Sequence, residues 1–400
     1  MSVWRQGRVT GAAIGAAWAV TVAVSVAVVL SFVTGGAFRP VVWLAAAWGA
    51  ALGLVAVHAP GRWPVPGAAA VLALAGLVGA GPVAAAGPGG GALAGALAGL
   101  AAAAGAVRML AGCGPGLLSR HEAEGAWIRF LTGFGHIVFA AAVLIPFWVM
   151  VMTSLKPQAA LMRNPLDFSI DLSRGADLFR SYRELFTQFD FGIYLANSFG
   201  ISVLTVLITL LFAVPGAYAV ARLRFAGSAA LSRSILLIYM VPMIVLALPI
   251  YIAFSMTGLR NTYAGIVMIY PVTTIPVALY MLQGYFRGLP AEIEEAGLMD
   301  GLSRLAVIRK ITLPLSLPAL ASVALYVFMI AWNEFLLAFM LLDDPSKFTL
   351  TRGIASLNSS EVPRQHLMAG SVVATVPILA LFLGLERFMT RGLTAGSVKG

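Results

Sequence analysis

The sequence predicts an all-α protein, a polytopic bundle of transmembrane helices. Hydrophobic residues make up 60% of its 400 residues and charged residues only 10%, and the mean hydropathy is +0.92. A soluble domain carries about 25% charged residues. The second observation is a series of apolar windows, each long enough to cross a hydrocarbon layer of about 30 Å. Ten such windows lie at 11–33, 41–58, 65–86, 91–110, 134–153, 197–220, 232–254, 262–283, 317–341 and 368–387.

A change in composition near residues 111–133 divides the chain. Before it the sequence is almost all Ala, Gly, Val and Leu, and after it aromatic residues, Met, Pro and Asn appear at defined places. We predict a transmembrane extension of about four spans at 1–115, a linker at 116–133 and a six-span core at 134–400. The linker is amphipathic and basic, which favours a short helix on the inner membrane surface.

Three glycines in the extension recur at a regular interval. Gly91, Gly95 and Gly99 lie four residues apart on one face of a helix. This spacing permits two helices to approach closely. In a region so rich in Ala and Gly, compositional drift is the favoured explanation over a specific dimer motif.

The basic residues predict the orientation. The net charge is +10, and Lys and Arg of membrane proteins collect on the cytoplasmic side. With the N-terminus inside, the alternating windows leave more of these residues on the inner face. We therefore expect both termini in the cytoplasm and the segment 154–195 outside. Because the basic residues are scattered among the loops, a nucleic-acid partner is not expected.

Several kinds of chemistry are not indicated. Cys113 is the single cysteine, which excludes an internal disulfide and a cysteine metal cluster, and the four histidines show no ligand spacing. The sequence contains no GxxxxGK[ST] phosphate loop, so ATP hydrolysis by that route is not expected of this chain. We predict neither catalytic residues nor a metal site.

The 25 residues from Pro290 to Pro314 form a charged island between two apolar windows. We call this segment the polar loop. Pro290 suits the first turn of a helix, and the glutamates that follow it are favourable near a helix N-terminus. Asp300 and Gly301 give a turn signal, after which a second helix is predicted at about 303–310. Two short helices joined by a tight turn at the membrane surface could dock into a cleft on a soluble partner.

Glu295-Ala296-Gly297 is followed after three residues by Gly301 and, after nine more, by Ile311-x-Leu313-Pro314. This pattern resembles the EAA loop of ABC importer permeases, which would occupy 288–318 here. In that family the loop forms the coupling helix that sits in a groove of the ATP-binding subunit. One residue differs, since Gly297 stands where the family usually has Ala, at a cost of roughly 1 kcal/mol of helix propensity. The resemblance implies that the residues coupled to the ATPase are Glu292, Glu295, Ala296, Gly297, Asp300, Gly301, Ile311, Leu313 and Pro314.

Further segments resemble the maltose-type sugar branch of this family. They are AYAVARLRF at 217–225, LRNTYAGIVMIY at 259–270, AWNEF at 331–335 and the C-terminal GLTAGSVKG. The resemblance implies a permease subunit in the cell membrane that imports a sugar or polyol delivered by an extracytoplasmic solute-binding protein. The implied partners are a second permease subunit and two ATP-binding subunits. ATP and Mg would be held on those subunits, and no cofactor is expected in this chain.

Polar residues within the window 317–341 are candidates for the sugar path. An intramembrane carboxylate is costly and usually faces a cavity or a partner. Two interpretations are equally favoured: Asn333 and Glu334 line or gate the path, or they are hydrogen-bonded for structure near the outer end of the span. The candidate path residues are Asn333, Glu334, Trp332, Tyr270 and Tyr280.

Two other functions compete with the importer. An ion-coupled secondary transporter with about ten spans predicts several acidic residues deep in the membrane, and only Glu334 stands out. A membrane enzyme acting on lipid-linked sugars would need a cluster of acids or histidines at one membrane face. The sequence shows no such cluster.

Overall fold

The computed structural model describes residues 5–58, 64–85, 88–164, 172–359 and 361–394. These residues are predominantly α-helical, which confirms the all-α prediction. Two short strands, β1 (Arg39–Pro40) and β2 (Val83–Ala84), form one antiparallel pair. Chain contacts divide the protein into two compact units, Met1–Leu178 and Phe179–Gly400.

The first unit begins with a long apolar helix and ends with a short one. Its helices are α1 (Gly7–Thr34), α2 (Val42–His58), α3 (Pro64–Leu77), α4 (Pro88–Met109), α5 (Arg120–Ser154) and α6 (Gln158–Arg163).

Helix α5 starts with a capping box. The Ser119 hydroxyl accepts from the Glu122 amide, and the Glu122 carboxylate accepts from the Ser119 amide at 2.7 Å. This motif satisfies two amides that a helix start leaves free, and α5 then continues for 35 residues. The short surface helix predicted within 116–133 is therefore the first part of α5, continuous with the predicted span 134–153.

The regularly spaced glycines of α4 pack against the backbone of α3. A Cβ on Gly95 would overlap the backbone carbonyl of Leu72 in α3, and one on Gly99 would lie 2.7 Å from the carbonyl oxygen of Ala68. Gly91 meets the backbone of α3 in the same way, and α1 contacts α2 through similar glycines. The four-residue interval thus forms a close seam between α3 and α4, and compositional drift is the wrong explanation for it.

The second unit contains the polar loop and the longest stretch of packed spans. Its helices are α7 (Arg180–Gln188), α8 (Phe191–Arg222), α9 (Ser228–Tyr239), α10 (Met243–Met256), α11 (Tyr263–Gly288), α12 (Ala291–Met299), α13 (Arg304–Val307), α14 (Leu313–Leu315), α15 (Leu317–Asn333), α16 (Leu336–Leu341), α17 (Leu350–Ser356) and α18 (Arg364–Thr394). A π-turn at Ile308–Thr312 joins α13 to α14, and 3-10 turns lie at Leu172–Phe179 and Pro345–Lys347.

Helices α8, α11 and α15 carry the apolar core of this unit. One cluster of buried side chains surrounds Tyr270 and Trp332, and a second surrounds Tyr218, Leu282 and Phe286 near the polar loop. Within a membrane, van der Waals packing between such side chains fixes the spans against each other.

Six helices in the described ranges are long and apolar enough to cross a membrane: α1, α4, α5, α8, α11 and α18. A seventh span results if the segments Arg304–Leu315 and Leu317–Asn333, bent by 73°, count as one. The remaining three predicted windows contain shorter apolar helices. In the window 65–86 α3 already ends at Leu77, and the window 232–254 is broken between Tyr239 and Met243. These two windows were wrongly predicted as continuous spans.

Candidate functional site

Helix α12 forms the first arm of the polar loop. Pro290 is its N-cap residue, and Glu292 lies in its first turn, where the helix dipole stabilises a carboxylate. The helix ends in a Schellman turn, because the Leu302 amide donates to the Gly297 carbonyl at 3.1 Å and the Gly301 amide to the Leu298 carbonyl at 3.1 Å. Gly301 has a φ of +84°, a conformation that glycine adopts without strain.

The second arm is longer than the sequence predicted. The Ser303 hydroxyl caps α13 by accepting from the Ala306 amide at 3.3 Å. The helix then passes through the π-turn, where the Leu313 amide donates to the Ile308 carbonyl, and extends to Leu315 rather than ending near residue 310. Single π-turns occur frequently at functional sites.

The two arms pack on each other around Gly297. A Cβ at this position would lie 2.6 Å from Ile311 Cδ1 and 3.3 Å from Val307 Cγ2. The Ile311 side chain therefore occupies the space that a methyl group at position 297 would need.

The outer surface of the polar loop carries exposed apolar side chains among charges of both signs. Met299 is 88% exposed and Leu305 is 74% exposed. Glu292, Glu295 and Asp300 are also exposed, and so are Arg304, Arg309 and Lys310 on the second arm. Exposed apolar side chains of this size are available for contact with another protein.

A buried polar cluster attaches the loop to α8. Glu294 Oε1 accepts from Thr312 Oγ1 at 3.0 Å, and its Oε2 accepts from Tyr218 Oη at 3.2 Å. Arg222 Nε lies 3.5 Å from Glu294 Oε1, and their side chains are only 13% and 14% exposed. Arg222 Nη2 also donates to the Leu289 carbonyl at 2.7 Å. We call Tyr218, Arg222, Glu294 and Thr312 the loop anchor.

None of the four residues of the loop anchor is among the site residues predicted from the sequence. A signal was present, since Tyr218 and Arg222 lie four residues apart in AYAVARLRF and so share one face of α8. Their partner Glu294 is 76 residues away from Tyr218 along the chain, a separation that local patterns do not reveal.

The candidate path residues have separate surroundings. Trp332 is buried, donates to the Ala374 carbonyl of α18 at 3.2 Å and stacks on Phe328. Tyr280 is 54% exposed on α11. Asn333 is exposed and donates to the Met329 carbonyl one turn earlier.

Glu334 has a clear structural contact. Its carboxylate accepts from the amides of Leu337 at 2.8 Å and Ala338 at 3.1 Å, and so caps α16 at the break after α15. Tyr270 is 1% exposed, and among the described residues its hydroxyl has no hydrogen-bond partner. The contacts of Glu334 fit the interpretation that it is hydrogen-bonded for structure, and its place in a sugar path stays a prediction.

A short helix, α7, lies within the segment predicted to be outside. Glu184 accepts from Arg180 Nε at 2.7 Å and pairs with His366 Nε2 at 2.9 Å, which joins α7 to the start of α18. Hydrogen bonds from Arg180 and His366 lower the pKa of Glu184. In the described part of the chain, no group of three or more His, Cys, Asp or Glu residues could hold a metal ion.

Comparison with known proteins identifies the family. Residues 210–394 match the model of the binding-protein-dependent transport system inner membrane component. The chain is 37% identical to the inner membrane ABC transporter permease protein YcjP of Escherichia coli, over 66% of this chain and 95% of that protein. The chain belongs to this family of ABC transporter permeases.

Other similarities agree with this membership. The permease is 35% identical to the trehalose transport system permease protein SugB of Mycobacterium tuberculosis, over 66% of this chain and 95% of that protein. Its fold matches a chain from a bacterial ABC transporter involved in the import of the acidic polysaccharide alginate. The TM-score is 0.56 at 24% identity, covering 68% of this chain and 98% of the other.

The family also determines the class of protein. This permease is a multi-pass protein of the cytoplasmic membrane with a transport role rather than an enzymatic one. The ion-coupled secondary transporter is not favoured.

Proposed function

We propose that this permease belongs to an ATP-driven importer of a sugar or polyol, and that its polar loop receives the motion of a separate ATPase. The observation that supports this most is the outer surface of the loop, where Met299 is 88% and Leu305 is 74% exposed. Burying such side chains in a groove of a partner stabilises a complex by roughly 1.5–3 kcal/mol each. The exposed carboxylates of the first arm and the exposed basic side chains of the second, Arg304, Arg309 and Lys310, would favour a groove that carries complementary charges of both signs.

The coupling residues divide into two groups by exposure. Glu292, Glu295, Ala296, Asp300 and Gly301 are exposed and would contact the ATPase. Gly297 is buried, and it would keep the two arms in place together with Ile311, Leu313 and Pro314.

The complete importer would contain this chain, a second permease subunit and two ATP-binding subunits. ATP and Mg would be bound on the ATP-binding subunits, with no cofactor on this chain. If each of the ten predicted windows crosses the membrane once, including those with broken or short helices, the excess of Lys and Arg on one side supports an N-in, C-in orientation, which leaves the polar loop in the cytoplasm. A solute-binding protein would deliver the substrate to the opposite face.

The sugar class is supported by the trehalose permease among the relatives. The path would run beside α11 and α15, with Tyr270 and Glu334 near its outer part and Asn333, Trp332 and Tyr280 as further candidates. Replacing Asn333 with Ala, since its side chain is exposed, would change the apparent affinity for sugar without changing assembly if it lines this path.

Co-expression with a candidate ATP-binding subunit tests the proposal. We expect the two to co-purify, and we expect Met299→Asp and Leu305→Asp to abolish the association and sugar uptake. Met162→Asp is the matched control, because Met162 is 79% exposed but lies on α6, outside the polar loop. If uptake survives ATP depletion and follows an ion gradient, the proposal is wrong.

A further inference from the structure

The structure assigns a mechanical role to the loop anchor. We propose that Glu294 and Arg222 form a rigid connection, here called the joint, so that the polar loop and the end of α8 move together. This inference rests on the proposed function and extends it. The ATPase would push on α12, and the joint would pass that motion directly to a membrane span. Glu294 and Arg222 are therefore positioning residues, which need no contact with the ATPase.

The anchor holds the loop at both of its ends. Arg222 donates to the carbonyl of Leu289, where the chain leaves α11. Glu294 accepts from Thr312, where the chain returns toward the membrane. Glu294 also accepts from Tyr218 and pairs with Arg222, which lie on the last two turns of α8, so the loop cannot turn about either end without breaking one of these contacts.

Burial makes this attachment stiff. Thr312 is 1% and Tyr218 is 4% exposed, while the charged pair is 13% and 14% exposed. Solvent screens such a pair much less than a surface pair. Removing one partner leaves the other charge buried without compensation, which is strongly unfavourable.

The guanidinium geometry explains why an arginine suits position 222. Its Nη2 reaches the Leu289 carbonyl at 2.7 Å while its Nε faces Glu294 at 3.5 Å. The planar guanidinium donates through Nη2 while its charge stays beside Glu294 without a hydrogen bond from Nε, whereas the single ammonium of lysine cannot meet both groups with the same geometry. Arg222→Lys therefore keeps the charge and loses the fixed angle.

Apolar contacts near the loop anchor also attach the polar loop to the spans. Leu289 and Ile308 pack on the buried cluster around Tyr218 and Phe286. Apolar packing of this kind is not directional, so it holds the loop against the spans without fixing its angle. The hydrogen bonds of Glu294 fix that angle. We accordingly expect loss of the joint to leave the loop attached but poorly coupled.

The test uses the complete importer, reconstituted with its ATP-binding subunits and binding protein in liposomes. We measure co-purification of the ATP-binding subunits, ATP hydrolysis with and without sugar-loaded binding protein, and sugar imported per ATP. For Glu294→Gln and Arg222→Lys we expect sugar per ATP to fall about tenfold, within the usual range of coupling between sites. Co-purification should persist, and basal hydrolysis should stay within about twofold of wild type.

Three comparisons distinguish loss of the joint from a general loss of protein stability. Arg224→Gln removes a neighbouring exposed arginine and should leave sugar per ATP unchanged. The double variant Glu294→Gln, Arg222→Lys should be no worse than either single change, since one contact is lost in all three. If Glu294→Gln does not accumulate, Tyr218→Phe and Thr312→Val each remove one bond with little change of shape and should lower the ratio several-fold.

Two results would overturn the inference. One is an unchanged ratio of sugar to ATP in the single variants. The other is loss of co-purification in Glu294→Gln, which would place Glu294 in the docking surface instead. Failure of the wild-type chain to bind any ATP-binding subunit would be a separate outcome, because it would refute the proposed function itself.

Discussion

Gly301 shows how one residue determines the shape of the polar loop. Its φ is +84°, and a Cβ built on it meets no atom within 4 Å. Any penalty for a side chain is therefore conformational rather than steric. An L-residue in the left-handed region costs about 1–2 kcal/mol.

We predict that Gly301→Ala weakens binding to the ATP-binding subunit about 5- to 30-fold, the factor that corresponds to one or two kcal/mol. Titration of the purified permease with the ATP-binding subunit measures this. Gly288→Ala is the control, because that glycine also has open space around it but its φ is not positive. Equal binding by both variants would show that the left-handed turn is not needed.

Glu184 makes the stability of the protein depend on pH. Arg180 and His366 lower the pKa of Glu184 from its ordinary value of 4.5. The carboxylate is favoured in the folded state, so its contribution is complete above the unfolded pKa and is lost as the pH falls through the lower folded pKa.

We predict that Glu184→Gln lowers stability at pH 7 by about 1 kcal/mol and flattens the decline in stability between about pH 5 and pH 3. Thermal unfolding in detergent across this pH range measures both effects. Glu361→Gln, at an exposed position just before α18, should leave the decline unchanged. A slope for Glu184→Gln parallel to that of the wild type would contradict the prediction.

At the scale of whole elements, the sequence was most informative where one local signal dominates. The sequence predicted both arms of the polar loop and their turn, because Pro290, the following glutamates and Gly301 each act locally. The sequence predicted a separate short helix within 116–133 and not its continuation into the span 134–153 as α5, although Ser119 and Glu122 form a capping box at the start of this helix. It also missed the loop anchor, since the contact of Tyr218 with Glu294 depends on how α8 and the loop come together in space.

The seam between α3 and α4 gives a prediction at this scale. Gly95→Val would drive its side chain into the backbone of Leu72, and no side-chain rotation relieves a clash with backbone. Overpacking of this kind costs about 1–3 kcal/mol. We expect a lower thermal unfolding temperature, and we expect no such decrease for Gly67→Val, because Gly67 on α3 has open space around it. Equal unfolding temperatures for Gly95→Val and Gly67→Val would mean that the seam between α3 and α4 is not closely packed.

The chain is longer than the relatives that it matches. About 66% of the chain matches 95% of the permease YcjP, and the family match extends to residue 394. The unmatched third therefore lies mainly toward the N-terminus, where the first unit is built on its own glycine seams. A region that relatives lack is not needed for the mechanism they share, and we propose that it serves assembly or stability.

We predict that removing residues 1–115 lowers accumulation in the membrane but leaves sugar uptake per molecule, and its dependence on ATP, close to wild type. Ser119 and Glu122 stay in the shortened chain, so the capping box of α5 is retained. Arg129 loses the carbonyls of Met109 and Ala111, to which it donates at 2.8 and 3.0 Å. Arg129→Gln in the full-length chain removes that contact alone and is the control. Complete loss of uptake at normal accumulation would show instead that the first unit takes part in transport.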